Sequence, residues 1–142
     1  MKTFFRVCLV TLTICSLAIG EEKPIPPEET KNDWLVKHPT ILKLLELHNL
    51  ERKRVGLNPL KLNTEMCLAA QKHATYMADT GWMIHSGLPY RENIFMWVTS
   101  PESATNGWIF SPAHYTNMLS GTEVGFGYQY KNGRPCWVGV FK

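Results

Sequence analysis

The chain has 142 residues, with 15 basic against 12 acidic side chains and a formal charge of +3. If a leader over residues 1–20 is removed, Lys2 and Arg6 leave with it. Thirteen basic against 12 acidic side chains then give +1, too little to hold nucleic acid by charge. The length suits one domain with one core, and beyond the leader no stretch approaches the roughly 20 apolar residues of a membrane span, so an integral membrane protein is not expected.

Lys2 and Arg6 flank the start of an apolar run over residues 7–19, and small Ala18 and Gly20 stand at cleavage spacing. This predicts a signal peptide over residues 1–20 and secretion to an extracellular or periplasmic space. Ile14 and Thr13 before Cys15 are not the small residues a lipid anchor requires. Cys8 and Cys15 leave with the leader, and Cys67 and Cys136 lack the close spacing of a zinc or redox pair. They are one bridge or two buried thiols. The expectation is two unpaired thiols, since Cys67 lies on a helix beside its main apolar face and Cys136 follows a hairpin.

Residues 21–38 form an acidic arm bearing Pro24, Pro26 and Pro27, and its stretch over 21–32 holds too few apolar side chains to offset the entropy of ordering. The domain is expected over 39–142. After Pro39, Ile41, Leu44, Leu45 and His48 recur at helical steps until Gly56. The run Arg52, Lys53, Arg54 on this helix reads as a solvated face. A second helix opens at Asn63 or Thr64, carries Met66, Ala69, Ala70, His73 and Met77 on one face, and closes at Gly81. Residues 92–98 suit a short strand. Ser100-Pro101 and Ser111-Pro112 each read as a helix start, with serine as cap and proline in the first turn. Val124, Phe126, Tyr128 and Tyr130, and then Trp137, Gly139 and Phe141, alternate at period two around Asn132-Gly133, a hairpin signal. Helices first and antiparallel strands last give an α+β domain.

Five segments carry a resemblance in the correct order: residues 47–52 with 56–60, residues 69–78, His85-Ser86-Gly87, residues 91–94 and residues 113–118. Together they resemble the CAP superfamily of cysteine-rich secretory, antigen-five and plant pathogenesis-related proteins, in a short, bacterial-type form. The resemblance implies a three-layer α-β-α sandwich with a mainly antiparallel sheet. It also implies a cleft where two histidines and two acidic residues converge. His85 and His114 match the histidines and Glu92 the first glutamate, while Ser111 stands where the second glutamate is expected. Glu102 does not align with that place. Arg91 and Ala113 depart from the glycines usual in animal and plant members.

Two imidazoles and a carboxylate suggest zinc or another divalent metal, with His85 and His114 as ligands. The competing reading is a hydrogen-bonded network without metal. For a hydrolase, Ser86 or Ser111 would be the nucleophile, His114 the base and Glu92 the orienting group. Ser111 fits a helix cap better. His48 and His73 read as structural imidazoles and the five tryptophans as core or interface anchors. The leading expectation is a secreted, non-enzymatic domain binding a small molecule, lipid or extracellular partner in the cleft formed by His85, Glu92, Ser111 and His114. A secreted hydrolase and a purely structural surface domain are the alternatives.

Overall fold

The computed structural model describes residues 33–142. The expected signal peptide and residues 21–32 of the expected arm lie outside the described residues. Five helices and four strands follow in order: α1 (Asp33–Val36), α2 (Pro39–Arg54), β1 (Lys61–Leu62), α3 (Thr64–Thr80), β2 (Arg91–Met96), α4 (Pro101–Ile109), α5 (Pro112–Met118), β3 (Glu123–Lys131) and β4 (Arg134–Phe141). The arm ends earlier than its composition suggests. Residues 33–38 form α1 and the cap of α2 because Leu35 is buried in the core and His38 Nδ1 accepts the Thr40 amide at 3.3 Å.

The local signals for the longer helices hold. Asn63 caps α3 by accepting the Met66 amide at 3.1 Å, and Gly81 ends it in the left-handed conformation, φ 77°. Ser100 caps α4 through the Ser103 amide at 3.1 Å. Ser111 is a correction: it occupies the cap position of α5, but its hydroxyl makes no capping hydrogen bond. Pro112 at the first turn and the Ser111 carbonyl, which accepts the Tyr115 amide at 2.8 Å, set that helix entry instead.

The sheet runs β1-β3-β4-β2, with β3–β4 and β4–β2 antiparallel and only the two-residue β1 parallel to β3. Asn132 and Gly133 both take positive φ, 53° and 73°, so a tight two-residue turn joins β3 to β4. Side chains alternate across the sheet and sort into two cores. Val124, Phe126, Trp137 and Phe141 pack with Ile41, Leu44, Trp108 and Met118 of α2, α4 and α5. Ile94, Met96, Val138 and Val140 pack with Met66, Ala70, Ala74 and Met77 of α3. The result is the expected α-β-α sandwich, with α3 alone against its face except for α1 at its side.

That sorting also decides the cysteines. Cys67 belongs to the first core and Cys136 to the second, and both thiols are free and buried. Burial raises both pKa values, that of Cys136 to about 11, so neither is a thiolate at neutral pH.

His48 is fully buried among Trp108, Phe126 and Phe141, and its Nδ1–H donates to the Leu44 carbonyl at 2.7 Å. Burial lowers its pKa from 6.5 to about 4. An unfolded imidazole binds a proton near 6.5 that the folded one refuses, so stability is complete above that pH and declines as pH falls toward 4. The expected loss is about 3 kcal/mol between those limits. Glu51 extends the decline: Arg54 and then Tyr115 hold its pKa at about 2 against 4.5, so its contribution disappears as pH falls from 4.5 through 2. Urea unfolding at a series of pH values should show this slope, and His48→Gln should flatten the part between 6.5 and 4. A slope unchanged in that variant would assign the effect elsewhere.

Candidate functional site

The cleft is built where the 81–90 connection, the start of β2 and the first turn of α5 meet. Glu92 is the centre of it. Its carboxylate is 7% exposed and takes three donors: His85 Nδ1 at 2.7 Å, the Ser86 amide at 2.9 Å and the Ser86 hydroxyl. The Leu88 amide in turn donates to the Ser86 hydroxyl at 3.1 Å, so the loop folds over one buried carboxylate. The bond to Glu92 fixes the His85 tautomer and leaves its Nε2 as the ring atom available to a ligand.

His114 comes from the other side. Asn93, fully buried on β2, donates to the His114 carbonyl at 2.9 Å. Asn117 Nδ2 donates to Asn93 Oδ1 at 2.9 Å and to the Glu92 carbonyl at 3.3 Å. This ladder locks α5 onto β2 and thereby sets His114 against Glu92 and His85. Burial, and next the charge of His85, lower the pKa of His114 and so favour its neutral form.

These groups line a cavity of about 310 Å³, walled by His85, Ser86, Leu88, Glu92, His114 and Asn117 among others. His85, Glu92 and His114 thus line one cavity. Ser111 is not among the residues that line it. Neither Ser86 nor Ser111 has a hydrogen bond to an imidazole among the described residues: Ser86 is committed to Glu92 and Leu88, and the rings of His38, His48, His73 and His85 bond elsewhere.

A second, larger cavity was not anticipated. It measures about 590 Å³ and runs along the exposed side of α3, past Ala69, Lys72, His73 and Tyr76, with Ile84 and Leu88 opposite. His73 Nε2–H donates to the Ile84 carbonyl at 2.7 Å and so pins the loop that forms its far wall. His85, Ser86 and Leu88 line both cavities, so the polar and the apolar cavity adjoin along this loop. Trp82, Met83 and Ile84 stand exposed beside it, Trp82 at 67%. The sequence signal was available in Lys72 and Tyr76, at helical spacing and exposed, whereas Ala69, read with the apolar face of α3, is only half-buried beside them.

Residues 45–141 match the Cysteine-rich secretory protein family, CAP, over more than half the chain. The chain belongs to the CAP family. It is 29% identical to the uncharacterized protein YkwD of Bacillus subtilis over 116 residues, 70% of this chain and 45% of that protein. The chain thus spans under half the length of that relative. Among solved structures, an outer surface protein of Borrelia burgdorferi superposes with a TM-score of 0.64 at 16% identity, covering 70% of this chain and 89% of that one. An extracellular protein containing an SCP domain from Bacillus anthracis superposes at 0.59 with 19% identity, covering 85% and 45%. These likenesses establish the fold, and these two neighbours are surface or extracellular proteins.

For a CAP domain the remaining question is metal. Among the described residues no three His, Cys, Asp or Glu side chains are grouped to hold an ion. Glu92 already accepts three hydrogen bonds across its two oxygens and acts on His85, which leaves two imidazoles where a zinc site takes three or four protein ligands. The donor set does not fit a catalytic or structural zinc. Among the described residues no helix is long and apolar enough to cross a membrane.

Proposed function

We propose that this CAP domain is secreted and binds, without turning over, a small amphiphilic ligand whose polar end meets His85 and His114 and whose apolar part lies along α3. The observation that carries this reading is the shared wall of His85, Ser86 and Leu88 between the polar and the apolar cavity. Together they offer the size of an ordinary small-molecule site, apolar on most sides with few convergent polar groups. Lys72 on the exposed side and two imidazoles at the end favour a ligand with an acceptor or anionic head.

The non-enzymatic part rests on Ser86. Its hydroxyl donates to Glu92, a carboxylate already held by the His85 and Ser86 N–H groups, and accepts a backbone amide, so it lacks the imidazole base of a serine hydrolase. Calorimetric titration is the test. Decanoate should bind, acetate at the same concentration should not, and His114→Ala should weaken decanoate binding about tenfold. Equal heats for both acids, or ester hydrolysis that vanishes in a folded Ser86→Ala variant, would overturn the reading.

A further inference from the structure

The outward face of α2 carries a pattern that neither the cleft nor the core uses. Ile41, Leu44, His48 and Arg52 face inward. On the other side of α2 Leu42, Glu46, Leu50 and Lys53 follow at steps of four, four and three, and Leu57, just past the helix end, lines the same shallow cavity as Glu46, Leu50 and Lys53. Leu42, Leu50 and Leu57 are all exposed, Leu50 at 56%. Glu46, Asn49, Leu50, Lys53 and Leu57 line a shallow cavity of about 350 Å³ in its middle. A solvated helix face does not need three large leucines.

The stripe is its own complement. About a point midway between residues 49 and 50 of α2, Glu46 is the mirror of Lys53, with Leu42 toward one end of the helix and Leu57 just past the other. A second α2 laid antiparallel across that point sets carboxylate on ammonium twice, with exposed leucines of both chains toward each end. A parallel arrangement would oppose Glu46 to Glu46 and Lys53 to Lys53, so charge selects the antiparallel one. Glu46 is bound at present to Lys43 at 3.0 Å, an exposed pair that exchanges readily. We propose that this face is the isologous interface of a homodimer, with the two-fold axis crossing α2 between Asn49 and Leu50. The inference is independent of the ligand reading.

A single pair of four-turn helices lies at the small end of specific interfaces, so the dimer fraction should rise between about 10 μM and 1 mM. Sedimentation velocity of the full secreted chain reads it. Glu46→Lys alone and Lys53→Glu alone should each weaken association at least tenfold, because like charges then meet across the axis. Mixed in equal amounts, the two variants should associate again, since each presents the complement of the other, and the double variant should recover the dimer by itself. Melting temperatures of the dilute variants, expected to match the unaltered chain, separate loss of association from loss of folding. A chain monomeric throughout this range, including one that pairs only with a different protein, contradicts the proposal. So do single variants that associate normally, or a mixture that fails to.

Discussion

Gly127→Ala should leave the chain without a stable fold. A Cβ on Gly127 would lie 2.3 Å from the Ala70 carbonyl carbon and 2.4 Å from the Gln71 nitrogen, and one on Gly125 would lie 2.1 Å from the Met66 carbonyl carbon. These are backbone atoms of α3, and no rotamer change relieves the overlap. The two glycines sit two residues apart on β3, under positions one helical turn apart on α3, so the helix rests on bare strand. Gln71 depends on that approach: its amide donates to the Tyr128 carbonyl at 2.9 Å and accepts the Tyr128 amide at 3.0 Å. Lifting α3 by the width of a methyl group breaks both bonds and opens the core of Met66, Ala70 and Val138. The expected loss is about 4 kcal/mol or more, a large part of the stability of a domain this size. Circular dichroism and thermal unfolding check it, and a variant within about 1 kcal/mol of the unaltered chain would contradict the close approach.

Arg52→Ala is expected to cost about 3–5 kcal/mol. Read from sequence as part of a solvated basic face, Arg52 is instead 4% exposed. Its guanidinium donates to four carbonyls: Asn58 at 2.8 Å, Met118 at 3.0 Å, Ser120 at 3.1 Å and Gly121 at 2.9 Å. Three of these close the C-terminal end of α5, where helical carbonyls lack amide partners. Arginine serves because a planar fork reaches several acceptors at once, and Arg52→Lys should recover only part of the loss. The same bonds anchor the helix that carries His114, so both variants should also weaken ligand binding. Chemical denaturation measures the first effect, and equal stability of Arg52→Ala and the unaltered chain would sink the account of α5.

Most elements were legible because their ends are chemical. Pro39, Asn63 with Gly81, Ser100 with Pro101, and Asn132 with Gly133 each fix a boundary through a cap, a locked φ or a left-handed turn. The elements that were not legible are those made by tertiary contact. β1 is two residues held by Glu123 and Val124, and α1 is one turn held by the burial of Leu35. Arg52 misled for the same reason, since nothing in its neighbours announces carbonyls some 66 residues away. The glycine alternation in β3 did carry a signal, because glycine inside a strand marks close backbone approach.

The cleft was legible only through resemblance. His85, Glu92 and His114 share no local pattern, and their meeting depends on Asn93 and Asn117 fastening α5 to β2. Ser111 shows the limit of that route: its place in the alignment put it in the site, whereas its side chain neither lines the cleft nor caps its helix. The apolar cavity arises from the far side of α3 and the loop that His73 holds, which no motif records.

One ligand must occupy both cavities if the binding reading is right. The direct measurement is a nuclear magnetic resonance titration with decanoate, following the imidazole signals of His85 and His114 together with the methyl signals of Ala69, Ile84 and Leu88. All five residues should respond along one saturation curve with a single dissociation constant. Methyl signals that saturate while both imidazoles stay unmoved, or imidazoles that respond equally to acetate, would contradict it.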